Sequence, residues 1–261
     1  MNKYLILLLI FIMPFNSFAQ QQISISNFVP PVTYFVNHVR QLNLLKNNLI
    51  KHRQVSIIGT SGMGKTQLAR MYSYENQNNY KLIWFIDCNL DINQELLKLA
   101  KTINSTAKSN LVSEDIKSIR KEVMNYLSSQ DKWLIVFDNL KIGRNEKVQE
   151  FVDWEHNGHV IFCSQDSEIL PNIVKMTAFE KGDVITLVNN ILEHNDPKSA
   201  EFLSKEFAGY PILIVQGIQL LNNVQGLDRE GYRKKIYQST DRIKSNITLA
   251  IDQLKPNAKD Y

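Results

Sequence analysis

The sequence predicts an α/β protein in which a doubly wound parallel sheet is followed by a small all-helical domain. Short apolar runs typical of buried strands alternate with helical patterns over residues 32–180, an order that favours a parallel sheet with helices on both faces. From Lys181 onward the pattern is helical throughout. A glycine-rich segment, residues 59–66, lies between the first of these strands and a helix, and such sheets bind ligands at the carboxyl ends of their strands.

The composition is that of an ordinary globular protein, with 44% hydrophobic and 21% charged residues in a chain of 261. The net charge is +4 without a dominant basic run, so no nucleic-acid partner is expected. Cys88 and Cys163 end apolar runs, and we interpret them as buried thiols; a disulfide in an exported protein is the alternative. The five histidines lack metal-ligand spacing.

The N-terminus has the layout of a secretory signal peptide. Lys3 precedes an apolar stretch, residues 4–13, which Pro14 and a small-residue site ending at Ala19 follow. The stretch is too short to span a bilayer of ~30 Å comfortably, so no stable membrane span is expected. We therefore predict a signal peptide over residues 1–19 and an exported or periplasmic protein. The alternatives are an uncleaved membrane anchor, or a cytoplasmic protein with a misassigned start.

The other elements follow from hydrophobic periodicity. A polar linker over residues 20–31 leads into a helix over 37–53. Strands are predicted over 54–58, 80–87, 133–138, 159–164 and 172–176, and helices after the glycine-rich segment and over 92–107 and 113–129. Further helices are predicted over 184–192, 200–207 and 211–221, and one long helix or a pair of helices over 228–254. The chain then divides into a nucleotide-binding α/β domain (32–180), a helical domain (181–225) and a helical tail (226–261).

Residues 59–66, the phosphate loop, match the motif G-x-x-x-x-G-K-[ST] of P-loop NTPases between a strand and a helix. Glycines let consecutive backbone N–H groups turn toward phosphates, Lys65 reaches the outer phosphates, and the Thr66 hydroxyl ligates Mg²⁺. The following helix adds its positive end. The motif predicts ATP or ADP with Mg²⁺ as cofactors, contacted by Gly59, Thr60, Ser61, Gly62, Met63, Gly64, Lys65, Thr66 and Gln67.

Asp138, at the end of the strand 133–138, is the second predicted Mg²⁺ ligand. Its neighbour Asn139 is an amide, whereas hydrolysis generally needs a carboxylate that orients or deprotonates the attacking water. The catalytic residues therefore stay unassigned, with Asp138 and Asn139 as the nearest candidates. Asp87, which ends the strand 80–87, is interpreted as structural.

Together these motifs resemble the NB-ARC branch of the STAND ATPases, the nucleotide switches of plant immune receptors and animal apoptosome proteins. Residues 35–38, Phe-Val-Asn-His, are similar to the family's opening motif Phe-Val-Gly-Arg, which implies that Val36 borders the adenine. Residues 134–139 resemble the family's Walker B strand. Residues 207–213 resemble its Gly-Leu-Pro-Leu motif, which implies that Pro211 contacts the adenine.

The chain departs from the family at several points. Gln165 stands where an arginine senses the γ-phosphate, Asn37-His38 replaces Gly-Arg, and residues 226–261 resemble only the opening of the winged-helix domain. The resemblance therefore implies a nucleotide-dependent switch or scaffold with slow or absent hydrolysis, acting through self-association or a protein partner. One alternative is an active Mg²⁺-dependent ATPase in which Asp87, Glu180 or another subunit's arginine supplies the missing group. The other is a truncated remnant of a longer STAND regulator.

Overall fold

The computed structural model describes residues 25–36, 38–141, 149–168 and 170–238, together with residues 244, 246, 248 and 249. The predicted signal peptide (1–19) and most of the predicted helix beyond residue 238 lie outside the described residues. Within the part of the chain that the structure describes, every helix is too short or too polar to cross a membrane.

A six-stranded sheet forms the centre of the α/β domain. The strands are β1 (Ile25–Ser26), β2 (Gln54–Ile58), β3 (Leu82–Asp87), β4 (Trp133–Leu140), β5 (His159–Ser164) and β6 (Ile173–Lys175). Their order across the sheet is β1-β3-β4-β5-β2-β6, and every neighbouring pair is parallel. The predicted parallel α/β fold is therefore confirmed. Since all strands run the same way, the residues that follow β2, β4 and β5 meet at one edge of the sheet.

Helices accompany the sheet and then follow it. The helices of the α/β domain are α1 (Val39–His52), α2 (Lys65–Glu75), α3 (Ile92–Ala107), α4 (Ile119–Ser128) and the single turn α5 (Gln149–Val152). The helices after the sheet are α6 (Lys181–Leu192), α7 (Pro197–Phe207), α8 (Pro211–Asn223) and α9 (Arg229–Ile236). The predicted helical region after the sheet is thus present.

Two hydrophobic cores cover the two faces of the sheet, and a third lies among α6 to α9. Because successive side chains of a strand point to opposite faces, Leu134 and Val136 of β4 pack against α1 and α2, whereas Ile135 and Phe137 pack against α3 and α4. Both faces of β4 are therefore buried, as expected for a strand inside a doubly wound sheet.

The structure differs from the sequence prediction at several element boundaries. Ile25 and Ser26, in the predicted linker 20–31, form β1 and pair with Leu82 and Ile83 at the edge of the sheet; a strand of two residues has no periodicity to detect. α6 and α7 begin earlier than predicted because their first turns are polar and capped. Glu180 caps α6, and the Asp196 carboxylate accepts a hydrogen bond at the start of α7.

Both cysteines are buried free thiols, as interpreted from the sequence. Burial raises the pKa of Cys88 and of Cys163, and the negative charge of Asp138 raises both further. The thiols are therefore protonated at neutral pH, and they act as small core side chains rather than nucleophiles.

Candidate functional site

The phosphate loop joins β2 to α2 and has glycine where only glycine fits. Gly62 and Gly64 have φ angles of +81° and +91°, in the left-handed region that glycine enters without a steric penalty. At Gly59 an added Cβ would lie 2.9 Å from the Cβ of Met176, so packing against the residue after β6 excludes a side chain. The three glycines of the segment therefore each have a conformational or packing reason.

Lys65 begins α2, and its ammonium group lies over the loop. It donates hydrogen bonds to the carbonyl oxygens of Gly59 and Thr60, at 2.8 and 3.0 Å. Burial lowers the pKa of Lys65, although the nearby charge of Asp138 acts in the opposite direction. Both partners of the ammonium are neutral carbonyls, and charge-assisted hydrogen bonds to an anion are stronger. An anionic ligand can therefore replace them.

Thr66 and Asp138 are directly hydrogen bonded, although they are far apart in the sequence. The Thr66 hydroxyl donates to the two carboxylate oxygens of Asp138, at 3.0 and 2.9 Å. The backbone N–H of Asn139 donates to the same carboxylate at 2.9 Å. Burial raises the pKa of Asp138, and these two hydrogen bonds oppose the rise. The fold thus brings together the two oxygen groups that the sequence predicts as Mg²⁺ ligands.

Asn139 is tied to the carboxylate at the end of β3. Its φ angle is +59°, in the left-handed region that asparagine tolerates better than most residues. Its side-chain amide donates to Oδ1 of Asp87 at 3.0 Å, and this oxygen also accepts from the backbone N–H of Asn89. Asp87 therefore holds the Asn139 side chain. This agrees with the interpretation of Asp87 as a structural residue, although the sequence does not indicate Asn139 as its partner.

A cavity of about 450 Å³ lies in front of the phosphate loop, within the size range of small-molecule sites. The described residues that form it come from the loop and the start of α2, from the segments at the ends of β3, β4 and β5, from the segment before α1 and from α8. Its lining beyond the loop and Gln67 consists of Val32, Tyr34, Asn89, Asn139, Leu140, Lys141, Cys163, Ser164, Gln165, Pro211, Ile212 and Val215.

A smaller apolar pocket of about 70 Å³ adjoins this cavity, and the two share Val32, Tyr34, Gly64, Gln67, Pro211 and Val215. Val36 and Met63 line it, so the two residues that the family resemblance places beside the adenine, Val36 and Pro211, meet in one pocket. His38 also lines it; its ring stacks on Phe179, and burial lowers its pKa. A neutral imidazole therefore stands where the family has an arginine.

The residues that the sequence predicts to contact the nucleotide are divided between the main cavity and the apolar pocket. Ser61, Gly62, Gly64, Lys65, Thr66, Gln67 and Pro211 line the main cavity, and Met63 and Val36 line the apolar pocket; Gly59, Thr60 and Asp138 line neither. Asp138 instead lies behind the Thr66 hydroxyl. Gln67 has a structural task as well, because its side-chain oxygen accepts a hydrogen bond from the backbone N–H of Val32 at 3.0 Å. Glu180 caps α6.

The start of α8 rests on the phosphate loop. The hydroxyl of Tyr210 hydrogen bonds to Oγ1 of Thr60 at 2.7 Å and donates to the carbonyl oxygen of Ser61 at 2.5 Å. The loop also meets Ile212, whose Cγ2 would lie 2.4 Å from a Cβ added at Gly62. The sequence does not indicate these contacts. Its one signal is that Tyr210 and Ile212 flank Pro211, which the family resemblance places at the site.

No family model and no curated protein matches the chain. Solved structures do match. A STAND protein with a tetratricopeptide repeat sensor from Pyrococcus horikoshii superposes with a TM-score of 0.55 at 18% identity, over 78% of this chain and 33% of its own. A Walker-type ATPase of Pyrococcus abyssi gives 0.56 at 17% identity, over 90% of this chain and 80% of its own.

The chain has the fold of the P-loop NTPases. A DNA replication initiation factor matches with a TM-score of 0.52 at 16% identity, over 81% of this chain and 72% of its own. At these identities the likeness concerns the fold alone. The motifs predict a resemblance to STAND ATPases, and a STAND protein is among the structures with this fold. The chain spans about a third of the length of that STAND protein.

Proposed function

We propose that the protein binds ATP or ADP with Mg²⁺ between the phosphate loop and the start of α8, and that it acts as a nucleotide-dependent switch or scaffold with slow or absent hydrolysis. The observation that carries this proposal is the Thr66–Asp138 hydrogen bond beside the Lys65 ammonium. A hydroxyl, a carboxylate and an ammonium at the mouth of a glycine loop are the groups that bind a magnesium nucleotide.

The residues present fit this cofactor. Gly62 and Gly64 have the left-handed backbone angles that allow successive N–H groups to converge on an anion, and α2 begins at the loop with the positive end of its dipole. Thr66 and Asp138 would hold the Mg²⁺ ion, which neutralises phosphate charge when bound. Val36, Met63 and Pro211 offer the base an apolar pocket.

Slow hydrolysis is supported by the chemistry of the cavity wall. None of the described residues that line the main cavity is an aspartate or a glutamate. Asn139 is an amide whose N–H donates to Asp87, and Gln165 is neutral. A general base that could activate water is therefore missing from the described lining, and the transition-state charge gains no arginine there.

A switch also needs a nucleotide-sensitive connection to a second structural unit. Tyr210 and Ile212 supply one, because they connect α8 to Thr60, Ser61 and Gly62 of the loop. A bound phosphate changes the surroundings of these loop residues, and a ligand that favours one arrangement of the connection shifts its population. The output of the switch would be self-association or the binding of a protein partner.

The test compares the full chain with its Lys65→Ala variant, and it measures the bound nucleotide content and the nucleotide affinity of each. Bound nucleotide is released by denaturation and identified, and ATP and ADP are titrated with and without Mg²⁺. We expect binding that Mg²⁺ strengthens and that falls at least about tenfold in Lys65→Ala, because a charge-assisted hydrogen bond is lost. Lys101→Ala, at an exposed position of α3, is the matched control and should bind as the wild type does. A folded wild-type protein that binds neither nucleotide contradicts the proposal.

The second candidate, an active ATPase, has one supporting observation: Asp87 lies directly opposite Asp138 in the register of β3 and β4 and is bonded to Asn139. Multiple-turnover hydrolysis that is lost on Asp138→Ala would favour the enzyme over the switch. Single-turnover or absent hydrolysis by a nucleotide-loaded protein favours the switch.

A further inference from the structure

β4 continues for two residues beyond Asp138 and contains a bulge. Phe137 pairs with Phe162 of β5, whereas Leu140 pairs with Ser164. Three steps along β4 therefore match two steps along β5, which means that β4 carries one extra residue. A side-chain hydrogen bond also holds Leu140 opposite Ser164, because the Ser164 hydroxyl donates to the carbonyl oxygen of Leu140 at 2.9 Å.

The bulge changes which side chains share the face of Asp138. Strand alternation puts Val136 and Asp138 on the α2 side and Phe137 on the α3 side, so a regular strand would return to the α2 side at residue 140. Instead Leu140 is buried in the same core as Phe137, and only its edge borders the cavity. The next side chain, Lys141, lines the cavity in front of the phosphate loop. Bulges commonly re-aim side chains beside binding sites.

Lys141 reaches the cavity as a cation with a neutral partner. Its ammonium donates to Oδ1 of Asn89 at 3.2 Å, and the backbone N–H of Asn89 donates to Asp87. Among the described residues that line the cavity, Lys65 and Lys141 are the basic ones, and acidic side chains are lacking. Gln165, on the adjacent β5 end, contributes no charge.

We propose that Lys141 binds the outermost phosphate of a nucleoside triphosphate and sets the preference of the site for the triphosphate over the diphosphate. This inference rests on the proposed nucleotide binding, and it adds Lys141 to Lys65 as a second cationic side chain that contacts the phosphates. Lysine is a compact charge on a flexible stem, so its ammonium can exchange the amide oxygen of Asn89 for a phosphate oxygen, which forms the stronger, charge-assisted bond. A diphosphate lacks this group, and the selectivity follows from the difference.

The test compares two affinities in four proteins. ADP and a non-hydrolysable ATP analogue are titrated with Mg²⁺ into the full-length wild type, Lys141→Gln, Lys141→Arg and the control Lys101→Gln. We expect Lys141→Gln to lose about tenfold or more in affinity for the ATP analogue, the size of a hydrogen bond between charged groups, while its affinity for ADP stays within about twofold of the wild type. Lys141→Arg should retain a preference for the analogue, and Lys101→Gln should match the wild type.

The outcomes separate the two proposals. If the wild type binds both nucleotides and Lys141→Gln weakens them equally, or leaves both unchanged, the role of Lys141 is wrong while nucleotide binding stands. If the wild type binds neither nucleotide, nucleotide binding is wrong, and the role of Lys141 is wrong with it. A circular dichroism spectrum and an unfolding curve for each variant exclude misfolding as the cause of a loss, and Lys141→Arg provides the second substitution at the position.

Discussion

Gly62→Ala perturbs the contact between the phosphate loop and α8. An alanine at φ +81° would be strained by about 1–2 kcal/mol. Its Cβ would also lie 2.4 Å from Cγ2 and 3.0 Å from Cβ of Ile212, and such overpacking destabilises by about 1–3 kcal/mol. We therefore expect the free energy of unfolding to fall by about 2–5 kcal/mol, measured by urea denaturation of the full chain.

A double-mutant cycle with Ile212→Ala separates the two contributions. Truncation of Ile212 to alanine removes Cγ2, the atom at 2.4 Å from the new Cβ, and leaves Cβ at 3.0 Å. In this background Gly62→Ala should therefore cost little more than the backbone strain, about 1–2 kcal/mol. The coupling energy should then be about 1–3 kcal/mol. Gly226→Ala is the matched control, since Gly226 has a φ angle of +76° and an added Cβ would meet no atom within 4 Å.

Two results would refute the reasoning. If Gly62→Ala costs no more than Gly226→Ala, the loop has no close neighbour at this position. If Gly62→Ala and Ile212→Ala are additive within about 0.5 kcal/mol, the two residues do not interact. Either result removes the Ile212 contact from the connection between the phosphate loop and α8, and the proposed switch would then depend on the Tyr210 hydrogen bonds alone.

Two further predictions concern the same site. Burial raises the pKa of Asp138 above 3.8, so the free energy of unfolding falls as the pH rises through the raised pKa and the buried carboxyl group ionises. Asp138→Asn, which cannot ionise, should therefore stabilise the nucleotide-free protein at pH 7 but not at pH 3. The Mg²⁺ dependence of nucleotide affinity should disappear in this variant. Urea unfolding at both pH values and titrations with and without Mg²⁺ check this, and a destabilised variant at pH 7 would contradict it. Tyr210→Phe should lower the free energy of unfolding by about 1 kcal/mol, because the hydrogen bonds of the Tyr210 hydroxyl to Thr60 and Ser61 are lost. Tyr74→Phe, at an exposed side chain, should change it little, and equal effects of the two substitutions would count against the Tyr210 contacts.

Elements with strong local patterns could be predicted well. The predicted bounds of β2 and α3 match the structure to the residue. A short run rich in β-branched residues and a 3.6-residue repeat are both patterns of a few neighbouring side chains. The glycine spacing of the phosphate loop likewise predicts its conformation, since glycine enters the left-handed region without the steric penalty that other residues incur there. Asp138 could be named as the partner of Thr66 because its strand ends in an acid and strand ends share one edge of a parallel sheet.

Features that depend on pairing between distant segments could not be predicted in this way. β1 exists because two residues pair with β3, and the Tyr210 hydroxyl contacts Thr60 across 150 residues of sequence. The bulge is the clearest case. The alternation of β4 indicates residue 140 as the next side chain on the face of Asp138, but the extra residue opposite β5 places Leu140 in the core with Phe137. Leu140 still borders the cavity, and Lys141 follows it along the cavity wall. Register is set by hydrogen bonds between strands and by the packing of both faces. The sequence of one strand therefore supplies polar groups of the candidate site, and pairing between strands decides which of them lie beside the cavity.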